Sequence, residues 1–185
     1  LIIDDAHATG VLGARGTGPL EELGVAHPSV IQMGTLGKAL GSFGAFVAGT
    51  KALIDLLITK SRPFIFTTAL PPAICAASIE AINIVEEEPD RRTRLKTNCE
   101  YLRAGLNASG FETAGSTQII PVIVGDAEKA VKASERLLEA GVFIQAIRPP
   151  TVPAGSSRLR ITMTATHTKA DLDLAIDVIK DALNG

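Results

Sequence analysis

Cysteine is scarce: the chain of 185 residues carries two, Cys75 and Cys99. So placed, they make no disulfide framework and have no metal-ligand spacing, and the expectation is a reducing, cytoplasmic setting. Net charge is nearly absent too, at −2, which leaves no electrostatic basis for binding nucleic acid or an anionic membrane. Long apolar runs are missing: the longest stretches, such as residues 69–77, are interrupted by proline or too short to span a bilayer. The start shows no charged-then-apolar leader, and the sequence has no internal repeat and no low-complexity segment. What is present is ordinary for a globular protein, with 46% hydrophobic and 21% charged residues. The length suits one good-sized domain or two small ones. The chain opens Leu1-Ile2-Ile3-Asp4 without methionine, which reads as a buried strand already under way and predicts that the natural protein is longer.

The first half alternates short apolar runs with glycine-rich turns. Residues 1–3, 30–33, 45–48 and 64–66 read as strands, apolar at every position, as suits a parallel sheet covered on both faces. In such sheets ligands sit beyond the carboxyl ends of the strands, where Asp4 and Thr35 fall. Leu70-Pro71-Pro72 opens a helix, since proline is tolerated in a first turn whose N–H groups have no partner. Ala76, Ile79, Ile82 and Val85 are expected to share its packed face, and it ends at the acidic run before Pro89. Pro89-Asp90 marks the expected domain boundary. Beyond it the pattern predicts helices over 91–108, 127–140 and from Thr168 onward, and strands over 118–124, 142–147 and 158–163. Thr168 is the N-cap of the last helix, with Asp171 completing a short capping box, and Leu172, Ile176, Ile179 and Leu183 form its apolar stripe. Helices on a small sheet make this half an α+β domain.

Few residues stand out chemically. Lys38 lies in Gly34-Thr35-Leu36-Gly37-Lys38-Ala39-Leu40-Gly41, among small apolar neighbours without a charge partner. A buried lysine loses its proton more easily, which suits a Schiff-base lysine; a surface lysine in a glycine turn is the plain alternative. A nucleotide loop is excluded, because Gln32 and Ala39 stand where it needs glycine and a hydroxyl. Asp4 and His7 follow a strand as Asp-Asp-Ala-His. A carboxylate there can keep a pyridine nitrogen protonated, or it can cap the turn; metal binding by Asp4, Asp5 and His7 finds no support from His27 or His167. Gly10, Gly13, Gly16 and Gly18 are out of order for a dinucleotide loop and read as a flexible turn or lid. Thr67 and Thr68 offer hydroxyls at a strand end before a helix, as a phosphate site or a cap. Arg158 and Arg160 share one strand face by alternation; a guanidinium matches a carboxylate through paired hydrogen bonds, and a solvated face is the alternative.

Taken in order, Asp4-Asp5-Ala6-His7-Ala8-Thr9-Gly10, Gly34-Thr35-Leu36-Gly37-Lys38, Phe64-Ile65-Phe66-Thr67-Thr68-Ala69-Leu70-Pro71-Pro72 and Arg158-Leu159-Arg160-Ile161-Thr162 resemble the α-oxoamine synthases, a family of enzymes dependent on pyridoxal 5′-phosphate (PLP). The resemblance runs the length of the chain. Residues 147–153 most resemble the biotin-pathway branch of that family.

This resemblance implies an α/β fold, that of a PLP-dependent transferase of aminotransferase fold type I. Residues 1–88 would be part of a large domain with a mostly parallel sheet, and 89–185 a small C-terminal α+β domain. It implies that Lys38 binds the cofactor covalently and moves protons, that Asp4 pairs with the pyridinium nitrogen and that His7 contacts the ring oxygen. Thr35 would bind the cofactor phosphate, Thr67 and Thr68 would reach the phosphate held in the partner subunit of a homodimer, Arg160 would hold the amino-acid carboxylate and Thr151 would line the substrate site. No metal is implied. The implied reaction condenses an amino acid, L-alanine, with an acyl-CoA, pimeloyl-CoA. A sister activity, glycine C-acetyltransferase or that of another α-oxoamine synthase, and a non-catalytic dimerisation fragment are the alternatives. Family members are longer at the N-terminus, so the piece alone is expected to be inactive.

Overall fold

The computed structural model describes residues 1–184. The chain divides into two compact units, one over Leu1–Arg92 and one from Thr93 onward. In the first unit, β1 (Ile2–Asp4), β2 (Ile31–Thr35) and β3 (Ala45–Ala48) form a sheet in that order. β1 and β2 run parallel with Asp4 opposite Met33, so both strands deliver their carboxyl ends to one edge. β3 runs antiparallel to β2 with Gly34 opposite Phe46. The sheet is therefore mixed. The link over residues 36–44 is closed on itself by Leu36 N–H to Gly44 O at 2.9 Å and Ser42 N–H to Leu36 O at 2.8 Å, and it is too short for the crossover that parallel neighbours require. At Gly34 a Cβ would run into the Phe46 ring and come within 2.6 Å of Thr9 Oγ1, so this strand end admits only glycine.

Four helices complete the unit: α1 (Pro19–Glu22), α2 (Lys51–Lys60), α3 (Arg62–Ile65) and α4 (Pro72–Glu87). The sequence reading has no counterpart to α2, which is capped by Thr50 accepting from Leu53 N–H at 3.4 Å. The strand expected over 64–66 is instead the short helix α3 and its end. Pro63 sits in the first helical turn, where its fixed φ favours helix and overrides the strand preference of Phe64, Ile65 and Phe66. In α4 the packed face also differs from expectation. Ile79 and Ile82 are exposed, whereas Ser78 is buried and bonds Ser42 Oγ at 2.8 Å and Ile74 O at 2.8 Å. Those hydroxyl contacts rotate the helix so that Ile74, Ser78, Ala81 and Val85 turn inward. The faces expected to be covered are open. Among the described residues of this unit Leu40 alone among apolar side chains is buried, while Leu1, Ile2, Phe43, Val47 and Phe66 are exposed.

The second unit has its own core. α5 (Asp90–Ala108) leads into it, and β4 (Ile119–Gly125), α6 (Ala127–Glu139), β5 (Gln145–Ile147), β6 (Ser157–Thr162) and α7 (Lys169–Asn184) follow. Its antiparallel sheet has the order β4-β6-β5. Leu102 and Leu106 of α5, Leu137 of α6 and Ile179 of α7 pack on Ile120, Val122 and Leu159, all but excluded from water. Each such side chain contributes about 1.5–3 kcal/mol relative to exposure. β5 begins later than the sequence suggests because Val142 N–H is held by Leu137 O at 2.8 Å at the end of α6. The expected capping box is formed: Asp171 Oδ2 accepts from Thr168 N–H at 2.7 Å, and Thr168 Oγ1 accepts from Asp171 N–H at 3.3 Å. Both cysteines are free, Cys75 exposed and Cys99 buried. Among the described residues no helix is long and apolar enough to cross a membrane.

Candidate active site

Asp4 ends β1 and Thr35 ends β2, so parallel pairing brings both to the same edge of the first unit's sheet. Alternation along an extended chain sends adjacent side chains to opposite faces. Asp4 is accordingly exposed at the edge while Asp5 points inward and is 1% exposed. The Asp4 Oδ1 atom accepts the Ala6 N–H at 2.9 Å, so the turn-capping reading of Asp4 holds for one oxygen. His7 is exposed on the turn that follows. Its main chain is fixed from either side, because Ala8 N–H and Thr9 N–H both bond Asp5 O, at 2.8 and 3.0 Å.

Lys38 sits in the loop between β2 and β3 and is exposed, contrary to the expectation of a buried amine. Gly37 and Ala39 on either side of it are exposed as well. Its carbonyl accepts Gly41 N–H at 3.0 Å, and Leu40, buried two residues on, anchors the loop. Thr35 organises the same loop. Its hydroxyl donates to Gly44 O at 3.1 Å and accepts from Gly37 N–H at 3.2 Å. A hydroxyl has one proton to give, so donation from Thr35 to a phosphate would break the Gly44 bond.

Thr67 and Thr68 lie between α3 and α4, following a helix where the sequence reading has a strand end. Both are exposed, and the Thr67 hydroxyl makes only a long contact of 3.4 Å with Thr68 O. In the second unit Arg158 and Arg160 occupy the face of β6 opposite buried Leu159 and Ile161, each half-buried. Arg160 is in register with Pro121 on β4 and Gln145 on β5, and Arg158 Nε donates to Ser156 O at 3.0 Å. Thr151 is exposed in the turn of the link to β6, its N–H bonded to Arg148 O at 3.1 Å. The described residues gather no group of three or more His, Cys, Asp or Glu into a metal-binding set.

The glycine stretch after His7 is fastened rather than loose. Gly10 N–H bonds Gly16 O at 2.8 Å and Gly18 N–H bonds Leu12 O at 2.9 Å. Two carboxylates of α1 complete it: Glu21 takes Thr17 Oγ1 at 2.8 Å and Glu22 takes Gly13 N–H at 3.0 Å. Arg92 adds a guanidinium on Ala14 O at 2.7 Å. The sequence reading gives no role in the site to Glu21 or Gln32. Gln32 leaves one signal, an amide inside the apolar run Val30-Ile31-Gln32-Met33, and its Nε2 bonds both Asp5 Oδ2 and Thr17 O, the latter at 2.9 Å.

Residues 1–179 match the model of the family described as aminotransferase class I and II. The chain is similar to the 8-amino-7-oxononanoate synthase of Geobacter metallireducens, 56% identical over 180 residues that make up 95% of this chain and 46% of that protein. It is similar in structure to the 8-amino-7-oxononanoate synthase of Francisella tularensis, with a TM-score of 0.89 and 29% identity over 100% of this chain and 55% of that one. It is also similar to an SPT determined at high resolution with a PLP internal aldimine, with a TM-score of 0.92 and 31% identity over 98% of this chain and 46% of the other. The chain spans about half the length of the curated relatives it matches.

Proposed function

The chain belongs to the aminotransferase class I and II family, and from that premise we propose that it carries the cofactor lysine of a PLP-dependent acyltransferase. The reaction joins L-alanine to pimeloyl-CoA, with loss of CO2 and CoA, to give 8-amino-7-oxononanoate for biotin synthesis. The observation that carries this reading is the shared sheet edge: Asp4 ends β1, and the loop bearing Lys38 leaves the end of its parallel neighbour β2. A carboxylate and an accessible amine on that edge are the donor set PLP needs, an anion for its ring nitrogen and a nucleophile for its aldehyde. The names of the relatives at about half identity point to the same chemistry.

When bound, PLP supplies an electron sink for charge developing at the amino acid's α-carbon. Asp4, with one oxygen held by Ala6 N–H, would hold the ring nitrogen through the other and favour its protonated form. Lys38 would hold PLP through its Nζ, and the same amine would move the proton at the amino acid's α-carbon. Its exposure and the small residues beside it leave the amine free to do both. His7 would hold the ring oxygen. Thr35, on giving up its bond to Gly44 O, and Thr67 with Thr68 from the partner subunit of a homodimer, would hold the phosphate. Arg160 holds the substrate carboxylate through its planar fork, and Thr151 lines the substrate site. Residues 1–88 serve the cofactor and 89–185 form the small domain of a cytoplasmic enzyme.

The test is CoA release by the full chain, as the cell makes it, with PLP. Release with L-alanine and pimeloyl-CoA is the expected result. Release with glycine and acetyl-CoA alone would move the chain to a sister activity, and release with neither pair would overturn the L-alanine and pimeloyl-CoA assignment.

A further inference from the structure

We propose that Asp5 is the positioning residue of this site, its buried carboxyl tying the turn that presents Asp4 and His7 to β2 and to the glycine loop. The inference rests on the functional reading above for its consequence, and on geometry for the tether itself. Of the twin carboxylates Asp4-Asp5, one faces out and the other is fully enclosed. Asp5 Oδ2 accepts from Gln32 Nε2, which also donates to Thr17 O at 2.9 Å. One amide thereby joins three segments: the end of β1, the middle of β2 and the loop over 13–18. The fit is close. Gly18 has φ +111, and a Cβ there would lie 2.8 Å from Asp5 Oδ2.

The main chain of Asp5 does related work. Its N–H extends the β1–β2 pairing to Met33 O at 2.7 Å, and its carbonyl takes Ala8 N–H, Thr9 N–H and, at 3.1 Å, Thr9 Oγ1. The turn bearing His7 therefore hangs from this one residue. The arrangement is costly as packing. Asp5 Oδ1 is buried without a hydrogen-bond partner, and burial, opposed by the Gln32 bond and aided by the neighbouring Asp4 charge, pushes the carboxyl's pKa up. An apolar side chain there would avoid desolvating a carboxyl, but it would break the side-chain link from Gln32 to the end of β1. The polar choice makes sense as a tether.

The test compares Asp5→Leu, Gln32→Leu and Asp5→Asn in the full chain, by PLP affinity, by the pH midpoint of the visible band of Lys38-bound cofactor, and by amide exchange in cofactor-free protein. Asp5→Leu and Gln32→Leu are expected to weaken PLP about tenfold, shift the midpoint, and speed exchange at Ala8, Thr9 and Gly18 about tenfold while leaving β4 and β6 unchanged. Asp5→Asn keeps an acceptor facing Gln32 and is expected to restore all three. Wild-type affinity and midpoint in Asp5→Leu would overturn the proposal, and so would an Asp5→Asn protein as impaired as Asp5→Leu, since charge rather than tethering would then be the cause. If Asp5→Leu does not fold, Gln32→Leu carries the same comparison. If the wild-type protein takes no PLP at Lys38, the functional reading fails, and the exchange arm alone decides the tether.

Discussion

Glu21 takes the Thr17 hydroxyl on its Oε2 at 2.8 Å, and Arg15 N–H and Nε on its Oε1 at 3.0 and 3.2 Å, so one carboxylate closes the glycine loop that follows His7. The Thr17 hydroxyl bond is the largest cause, with the Thr17 and Arg15 amides adding to it, of a pKa lowered from the ordinary 4.5 to about 2.

A lowered carboxylate pKa stabilises the fold above the unfolded value, and that stabilisation is lost as pH falls through the folded value. The loop closure is therefore expected at full strength above 4.5 and to disappear on acidification toward about 2. Carbon-detected titration of the Glu21 carboxyl checks this. A midpoint near 2 is expected, and Thr17→Val is expected to raise it.

Leu159 lies at the centre of β6, paired with Val122 on one side and Ala146 on the other, and is fully buried. Truncation there leaves a cavity that the flanking strands cannot close. Leu159→Ala is expected to cost about 3 kcal/mol of stability in the second unit, read from the denaturant midpoint at unchanged slope.

Under the proposed function Arg160 holds substrate rather than cofactor. Arg160→Ala is expected to weaken L-alanine binding by about 2 kcal/mol, roughly thirtyfold, while the visible absorbance of Lys38-bound PLP stays as in the wild type. Spectroscopic titration with L-alanine measures both. Unchanged affinity would shift the carboxylate role to Arg158 or elsewhere.

Much of this was legible in the residues, and most of the exceptions turn on tertiary contact. The strand ends at Asp4 and Thr35, the strand Ala45–Ala48 and the Thr168–Asp171 box depend on local pattern, and the structure has them close to where the pattern puts them. What tertiary contact decides was not legible. Ser42 and Ser78 turn α4 so that Ile79 and Ile82 face out. Pro63 is a local exception, its fixed φ starting a helix through residues of strand character. Asp4 and Asp5 are identical in type and adjacent, and only the pairing of β1 with β2 sends one to the surface and the other into the interior. Lys38 has the small neighbours of a buried amine, yet it is exposed.

The measurement that bears most directly on the account is borohydride reduction of the full chain saturated with PLP, followed by peptide mapping. The account predicts a single phosphopyridoxyl label on Lys38, lost in Lys38→Ala. A label on Lys51 or Lys60 instead, both exposed lysines at the ends of α2, or no label at all, would contradict it.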